Sequence, residues 1–381
     1  MFSGFRRRLF EHTREVGGVH VVRCFSTTSR TASLVGRFFE NMSFGLFGGL
    51  AMVMLPRPDV VYANSWPLFA SGIAVLVGQL RRIPVVVSIQ DVYPESLLSL
   101  GRLRNGSIAA RLLRCLDVRI AHLASEIIVI SRRAEQTYLR DRGIPAHRVH
   151  LIPNWRQCEE LPSAETVRMR RERWGISAGT FLCVFAGNIT AACGIEGLIR
   201  AASSLPIAAP VQLVVAGSGS AIDQCRNLAG CNGCERILFN GPFEAQETAQ
   251  ILSAADILIL PTHGDQSLVS MPSKLISYML AARPVLAVAR LESDLAKTVK
   301  ESCCGWVVEP GDSEQLARQI SLAVAMDRSA LTRMGLLGRE YALAHFSTEA
   351  CLPKVIGVLE GAIKAVPRSS NGARTNRSQR F

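Results

Sequence analysis

The chain has 381 residues, of which 48% are hydrophobic and 19% charged, with 43 Lys+Arg against 31 Asp+Glu and a formal net charge of +12. That length suits two domains of ordinary size, and the composition excludes global disorder. The positive balance favours an anionic partner, whether a membrane surface, nucleic acid or a phosphate-bearing substrate.

In chain order, residues 1–30 are rich in arginine and contain RCFSTTSR, which looks a little like an organelle presequence. Glu11 and Glu15 argue against one, and no secretory apolar segment is present. A strand, HVVRCFS, starts near His20, and residues 31–55 read as a helix. Arg30 and Arg37 beside Phe38, Phe39 and Phe44 fit two readings: a surface that meets anionic lipid, or an amphipathic core helix. The apolar stretch 44–55 is too short to span a bilayer and carries three glycines. PDVVYANS is a strand ending near Asn64. A helix follows through Gln79, then the strand PVVVSIQ, the turn DVYPES, a helix over 108–123, the strand EIIVIS, a helix over 132–142 and the strand VHLIPN. Apolar strands alternating with helices indicate a parallel sheet covered on both faces.

The pattern then pauses. NWRQCEELPSAETVRMRRERWG holds Pro162, mixed charge and no strand, and reads as a linker plus the first helix of a second domain. Alternation resumes with TFLCVFAG, a helix over 194–204, VQLVVAG, a short helix, RILFNG, a helix over 246–255 and DILILP. GDQSLVSMPSKLISYMLAARPVLAVA (264–289) follows as loop, helix over about 273–282 and strand 285–288. A helix over 294–301, GWVVEP and three helical segments from Ser313, Ser329 and Thr348 complete the chain. The fold class is therefore α/β, with two doubly wound units in series and no internal repeat. The expected limits are 1–161, 162–350, a last helix over 351–366 and a basic, polar tail over 367–381 that reads as disordered.

In open parallel sheets, ligands bind beyond the carboxyl ends of the strands. Three loops of the second unit meet that condition: GNITAACG (187–194), GSGS (217–220) and the loop that leads to Lys274. Glycine lets backbone approach a bound group. Pro272 suits the first helical position, and a helix start favours an anion. Lys274 in the first turn fits a phosphate partner or a lysine pointing into water. In the first unit the same logic selects Asn64, Ser65 and Trp66, and Gln90 with Asp91. Asp91 could hold a sugar hydroxyl or act as a base; it could equally cap a turn.

The eleven cysteines are odd in number and scattered, many in apolar runs such as that around Cys183, which reads as reduced thiols in a cytosolic protein. Cys225, Cys231 and Cys234 cluster without a fourth ligand, so no metal site is expected. There is no Asp-x-Asp pair, no G-x-S-x-G elbow, and no P-loop or zinc motif. The basic residues are dispersed with no nucleic-acid-reading module, so no nucleic-acid partner is expected.

PDVVYANSWPLF, PVVVSIQDVYPES, IIVISRRAEQTYL, VHLIPNW, FAGNITAACGIEGLIRAA, ILSAADILILP, SMPSKLISYMLAARPVLAV and CGWVVEPGDSEQLA resemble, in order, the family-4 glycosyltransferases of GT-B fold. The resemblance is strongest to bacterial enzymes that build O-antigen, capsule or exopolysaccharide, the fucosamine-transferase and colanic-acid branch. It implies two Rossmann-like domains facing across a cleft, with a UDP-sugar on the C-terminal one. The implied acceptor is an undecaprenyl-diphosphate-linked glycan, entering from the N-terminal domain. It further implies retention of configuration with no metal or other cofactor, and a cytoplasmic enzyme peripheral on the inner face of the cytoplasmic membrane, against anionic lipid. By position, Gly187, Asn188 and Gly217 lie near the donor phosphates. Ser270, Pro272, Ser273 and Lys274 clamp diphosphate and sugar, with Ser277 one turn on. Asp91 faces the reacting sugar, Asn64, Ser65 and Glu95 take the acceptor side, and the last helix crosses back to the first domain.

This sequence departs from the family at several places. Asn188 and Cys193 stand where many relatives carry an arginine and a lysine, and Val269 and Ser277 where they carry paired glutamates. The sequence also starts roughly fifty residues after the family's usual first strand, which reads as an N-terminal truncation. A rival reading is a non-catalytic remnant of the fold that binds a partner in a membrane assembly.

Overall fold

A computed structural model describes residues 9–14, 17–27, 34–99, 101–231, 235–269 and 271–365. The chain opens with β1 (Phe10–Arg14) and β2 (His20–Cys24), paired antiparallel as a separate ribbon. The strand expected near His20 is therefore present but joins no parallel sheet. Gly17 and Gly18, at φ 87° and 78°, permit the reversal that sends it back along β1.

The N-terminal unit follows. Its elements are α1 (Leu34–Met54), β3 (Val61–Asn64), α2 (Leu68–Arg81), β4 (Val85–Ile89), α3 (Glu95–Ser99), α4 (Ile108–Leu123), β5 (Glu126–Val129), α5 (Arg132–Gln136) and β6 (Val149–Leu151). Strands β3 to β6 form a parallel sheet in chain order, with β3 at one edge. Helix α1 packs closely on α2, because a Cβ at Gly49 would fall 2.4 Å from Ile73 Cγ2. That contact makes one side of α1 a core face. Its other side leaves Phe39, Leu46, Leu50, Val53 and Met54 exposed. The core-helix reading thus describes the side of α1 that packs on α2.

The C-terminal unit comprises α6 (Ala164–Arg173), β7 (Phe181–Ala186), α7 (Ile195–Ser204), β8 (Val211–Ala216), α8 (Ile222–Cys231), β9 (Ile237–Asn240), α9 (Thr248–Ser253), β10 (Ile257–Pro261), α10 (Gln266–Val269), α11 (Ser273–Leu280), β11 (Val285–Val288), α12 (Asp294–Glu301), β12 (Gly305–Val308), α13 (Ser313–Ala325) and α14 (Arg328–Phe346). Its six strands are parallel in the order β12-β11-β10-β7-β8-β9. From β7 the chain builds outward to β9, then returns to the other side of β7 to start β10. The winding therefore reverses between β7 and β10, where an open α/β sheet leaves a crevice at its carboxyl edge. Every residue of β7 and β10 is buried, with apolar clusters on both faces of the sheet. This is the continuous apolar run required of a strand covered twice.

Two crossings join the units. Arg156 N donates to Phe346 O at 3.0 Å, and Thr348 N donates to Arg156 O at 3.1 Å, so the outgoing and returning chains pair at one point. These crossings fall slightly before the limits expected at 161 and 350. The last helix, α15 (Thr348–Ala365), lies against the N-terminal sheet, where Cys351, Val355 and Ala362 pack with Val86, Ile128 and Ile152.

Candidate functional site

The crevice at the winding reversal is built by a short strand pairing. Strands β7 and β10 align only at Ile257–Cys183 and Leu258–Val184, then separate. Past that point Ala186 has no ladder partner on the β10 side. The Tyr278 hydroxyl fills the gap: it accepts from Ala186 N at 2.9 Å and donates to Ala186 O at 3.1 Å. Burial pushes the Tyr278 phenol well up, so it stays neutral and keeps both roles. Tyr278 sits in α11, one turn after Lys274. This pair of bonds therefore fixes the start of α11 at the end of β7.

Glycines then let the loops close on one another. Gly187, directly after β7, has φ 144°, and a Cβ there would fall 2.3 Å from Lys274 Cε. The lysine chain lies across bare backbone. Gly217, after β8, has φ 136°, and its Cβ would fall 2.0 Å from Gly187 O. Lys274 Nζ ends 5.5 Å from the Phe185 ring centroid and 3.9 Å from Cys193 Sγ. Among the described residues no carboxylate pairs with it. Pro272 occupies the N-cap of α11 and supplies no side-chain cap, and Ser273 is exposed. Asn188 is exposed in the adjoining loop, and its carbonyl accepts from Cys193 Sγ at 3.1 Å. Gly187, Asn188, Gly217, Pro272, Ser273 and Lys274 are thus brought together at one sheet edge, with positive charge and, among the described residues, no carboxylate paired with Lys274. Ser270 lies outside the described residues, as do Cys234 and the tail 367–381.

Ser277 is not part of this group. It lines a different cavity of about 260 Å³, with Arg156, Glu160, Thr248, Leu252 and Ala281 around it, between the linker and α9. Cys225 is buried and Cys231 exposed, and among the described residues no group of metal-ligating side chains is assembled.

On the N-terminal side, most of the expected groups are spent on the protein itself. Asn64 Oδ1 accepts from Trp66 N at 2.9 Å and shapes its own turn. Ser65 is buried, and its Oγ accepts from Gln90 N at 3.0 Å. Both Glu95 oxygens accept from Arg142 Nη2, at 2.9 and 2.8 Å. Asp91 differs. Its carboxylate is half-buried at the end of β4 with no hydrogen-bond or ion-pair partner among the described residues. Burial pushes its carboxyl above the ordinary aspartate value. The neighbouring Tyr93 phenol is pushed up by burial first and by the Asp91 charge second.

The two sides meet where α10 packs on α3. An open cavity of about 700 Å³ lies between Ser99 and Gly101 of the N-terminal unit and Ala191, Gly194, His263 and Gln266 of the C-terminal unit. Neither Lys274 nor Asp91 is among its lining residues. Sequence reasoning missed Tyr278 and Arg142. Tyr278 reads as one more apolar-face residue of its helix, and Arg142 looks like a solvated helix-end arginine.

Comparison with known proteins adds the following. Residues 4–155 match the glycosyl transferase 4-like domain, and residues 180–325 match the domain described as glycosyl transferases group 1. The chain is 27% identical over 279 residues to the probable glycosyltransferase WbjE of Pseudomonas aeruginosa, covering 72% of this chain and 68% of that one. It is also 27% identical over 223 residues to a D-inositol 3-phosphate glycosyltransferase of Xylanimonas cellulosilytica, covering 54% of this chain and 51% of the relative. Among solved structures it is similar to Anabaena HepE in complex with UDP, with TM-score 0.70, 18% identity and coverage of 86% and 84%. It is also similar to the sucrose-phosphate synthase of Thermosynechococcus elongatus, with TM-score 0.72, 21% identity and coverage of 93% and 86%.

Proposed function

We propose that this chain, a glycosyltransferase of GT-B fold carrying a glycosyl transferase 4-like and a group 1 domain, moves a sugar from a UDP-sugar to a lipid-linked glycan in surface-polysaccharide synthesis. One observation carries the donor half: the Lys274 chain lies over the bare backbone of Gly187, its ammonium unpaired by any described carboxylate, beside the uncapped start of α11. A departing nucleoside diphosphate needs its charge neutralised, and fixed donors in a crevice do this without reorganising. Lys274 supplies a full charge, and α11 supplies the partial charge of a helix start. The solved HepE–UDP complex, similar in fold, supports UDP as the nucleotide. Asp91 is then the group for the sugar side. An unpaired, half-buried carboxylate with a raised pKa can hold a sugar hydroxyl or take a proton from the acceptor.

Transfer with retention and without metal belongs to the proposal. The sequence has no Asp-x-Asp pair to bridge a metal and the diphosphate. Turnover unchanged by EDTA, with the product's anomeric configuration matching the donor's by NMR, is the expected outcome. The decisive test of the donor site is Lys274→Ala with calorimetric titration of UDP. Loss of a charge-assisted contact weakens binding about tenfold or more, and unchanged affinity would refute the site.

The acceptor side of the proposal includes a membrane surface. Among the described residues no helix is long and apolar enough to cross a membrane. Yet α1 exposes an apolar stripe, α2 exposes Leu80 at 77%, and α4 exposes Ile108 at 76% beside the exposed Arg111 and Arg114. Large apolar side chains flanked by arginines suit the surface of an anionic bilayer. Co-sedimentation with phosphatidylglycerol vesicles but not with phosphatidylcholine vesicles is the expected result.

A further inference from the structure

The buried charges of the N-terminal unit lie apart from the donor crevice, and one of them holds the loop that carries Asp91. Arg142 follows the π-helical turn Thr137–Asp141, and its side chain is 0% exposed. Its Nε donates to Asp117 Oδ2 at 2.8 Å, and Nη2 donates to the Tyr93 carbonyl at 2.9 Å and to both Glu95 oxygens. Asp117 also accepts the Tyr138 hydroxyl at 2.7 Å. Burying a guanidinium costs several kcal/mol, which apolar packing of equal volume would avoid. Here that cost is borne where the guanidinium bonds reach the far end of the 90–95 loop. The near end is clamped separately. Gln90 N donates to Ser65 Oγ, Gln90 Nε2 to Ser88 Oγ, and Asn154 Nδ2 to Gln90 Oε1, each at 3.0 Å. Between the clamps lie only Asp91 and Val92.

We propose that Arg142 is a positioning residue for the transfer: by holding the Tyr93 carbonyl and the Glu95 carboxylate, it fixes the 90–95 loop so that Asp91 stays unpaired at the carboxyl end of β4. The proposal rests on the reading of Asp91 as the group that meets the reacting sugar. Glu95 by the same geometry acts on the loop, in place of the acceptor role its sequence position implies.

The test uses the full chain with Arg142→Lys, Glu95→Ala, the double variant and Asp91→Asn. Rates of UDP release are measured with whichever of UDP-glucose, UDP-galactose and UDP-N-acetylglucosamine the unaltered chain hydrolyses fastest. Hydrogen exchange over residues 90–95 is followed alongside in the presence of UDP. Glu95 is 31% exposed, so Glu95→Ala keeps the test valid even where Arg142→Lys fails to fold. Arg142→Lys and Glu95→Ala are each expected to lower kcat by about 10- to 100-fold, with donor KM and UDP affinity within about twofold of the parent. Loop exchange should be faster, and the double variant no slower than the worse single, since the two residues act as one unit. A merely structural role would lower stability without this split. Parental kcat or unchanged loop exchange in Glu95→Ala overturns the proposal. Asp91→Asn separates the failures: a slow Asp91→Asn with a fast Glu95→Ala sinks the positioning role alone, whereas a fast Asp91→Asn sinks the Asp91 reading and this one with it.

Discussion

The two halves of this chain hold their candidate groups by different means. In the C-terminal half loops meet backbone to backbone, and glycine hydrogens stand where side chains would collide: Gly217 against the Gly187 carbonyl, Gly187 beneath the Lys274 chain. In the N-terminal half the loop around Asp91 is held by polar side chains, from Ser65 and Asn154 to the buried Arg142. The difference follows from the sheets. A six-stranded sheet with a winding reversal brings several strand-end loops to one crevice, so they must fit each other. The four-stranded sheet gathers fewer loop ends, and side chains span the distance between them. Steric fit fails abruptly with one added methyl, whereas a polar network fails through the groups it strands.

The largest expected effect therefore belongs to Gly217→Ala. The added Cβ meets a carbonyl oxygen at 2.0 Å in a backbone conformation with φ 136°, and the nearest atoms it meets all belong to the Gly187 backbone. Strain and overlap together should cost roughly 3–5 kcal/mol, read by urea denaturation, and UDP binding should fall with it. A variant as stable as the parent would break the steric account of this half. Tyr278→Phe comes next. It leaves the buried N–H and C=O of Ala186 without partners, at about 1–3 kcal/mol, and it loosens α11 relative to β7. Its UDP affinity should fall less than that of Lys274→Ala, because the charge remains.

How far this division is legible in the sequence depends on how far apart the cooperating residues lie. Helices α4 and α12 begin where expected, because Ser107 and Ser293 cap them locally, accepting from Ala110 N and Ala296 N. Helix α11 stops at Leu280, short of the expected 282, for a tertiary reason. Ala282 turns to φ 54°, and Gly335 of α14 packs so close that a Cβ there would fall 2.2 Å from the Ala282 carbonyl. The donor-side loops announce themselves through glycine, a residue whose local meaning is strong. Arg142 announces nothing: its partners Asp117 and Glu95 lie 25 and 47 positions away, and no periodicity links them. Asn64 and Ser65 lie at the end of β3 and Glu95 opens α3, but sequence position does not reveal that their polar atoms are already engaged.

Asp91→Asn sharpens the contrast with a smaller effect of opposite sign. Burial raises the Asp91 carboxyl pKa, so the folded state binds that proton more tightly than the unfolded chain does. Its contribution to stability is complete below the ordinary aspartate pKa and is lost as pH rises through the raised folded value. At neutral pH the ionised, unpaired carboxylate is a liability. Removing its charge should stabilise the fold by about 0.5–1 kcal/mol while abolishing turnover. The gain should shrink on acidification. A carboxylate that stabilised the fold at neutral pH would be a structural group after all.

The smallest expected effect tests the joint between the halves, which follows neither pattern. Arg132 Nη1 donates to Glu301 Oε1 at 2.8 Å and Nη2 to Oε2 at 3.2 Å, with the two side chains 53% and 41% exposed. The hydrogen bond from Arg132 is the main cause that lowers the Glu301 carboxyl pKa. Its stabilisation is present above the ordinary glutamate pKa and disappears as pH falls through the lowered folded value. Solvent screens a pair this exposed, so Glu301→Gln should cost no more than about 0.5 kcal/mol. The cost should vanish at high salt and in acid, measured by urea denaturation. A loss of several kcal/mol would mean that the domains are locked together as firmly as each is built within. The small loss expected would mean that this pair adds little to a joint held by the packing of α10 on α3 and of α15 on the N-terminal sheet.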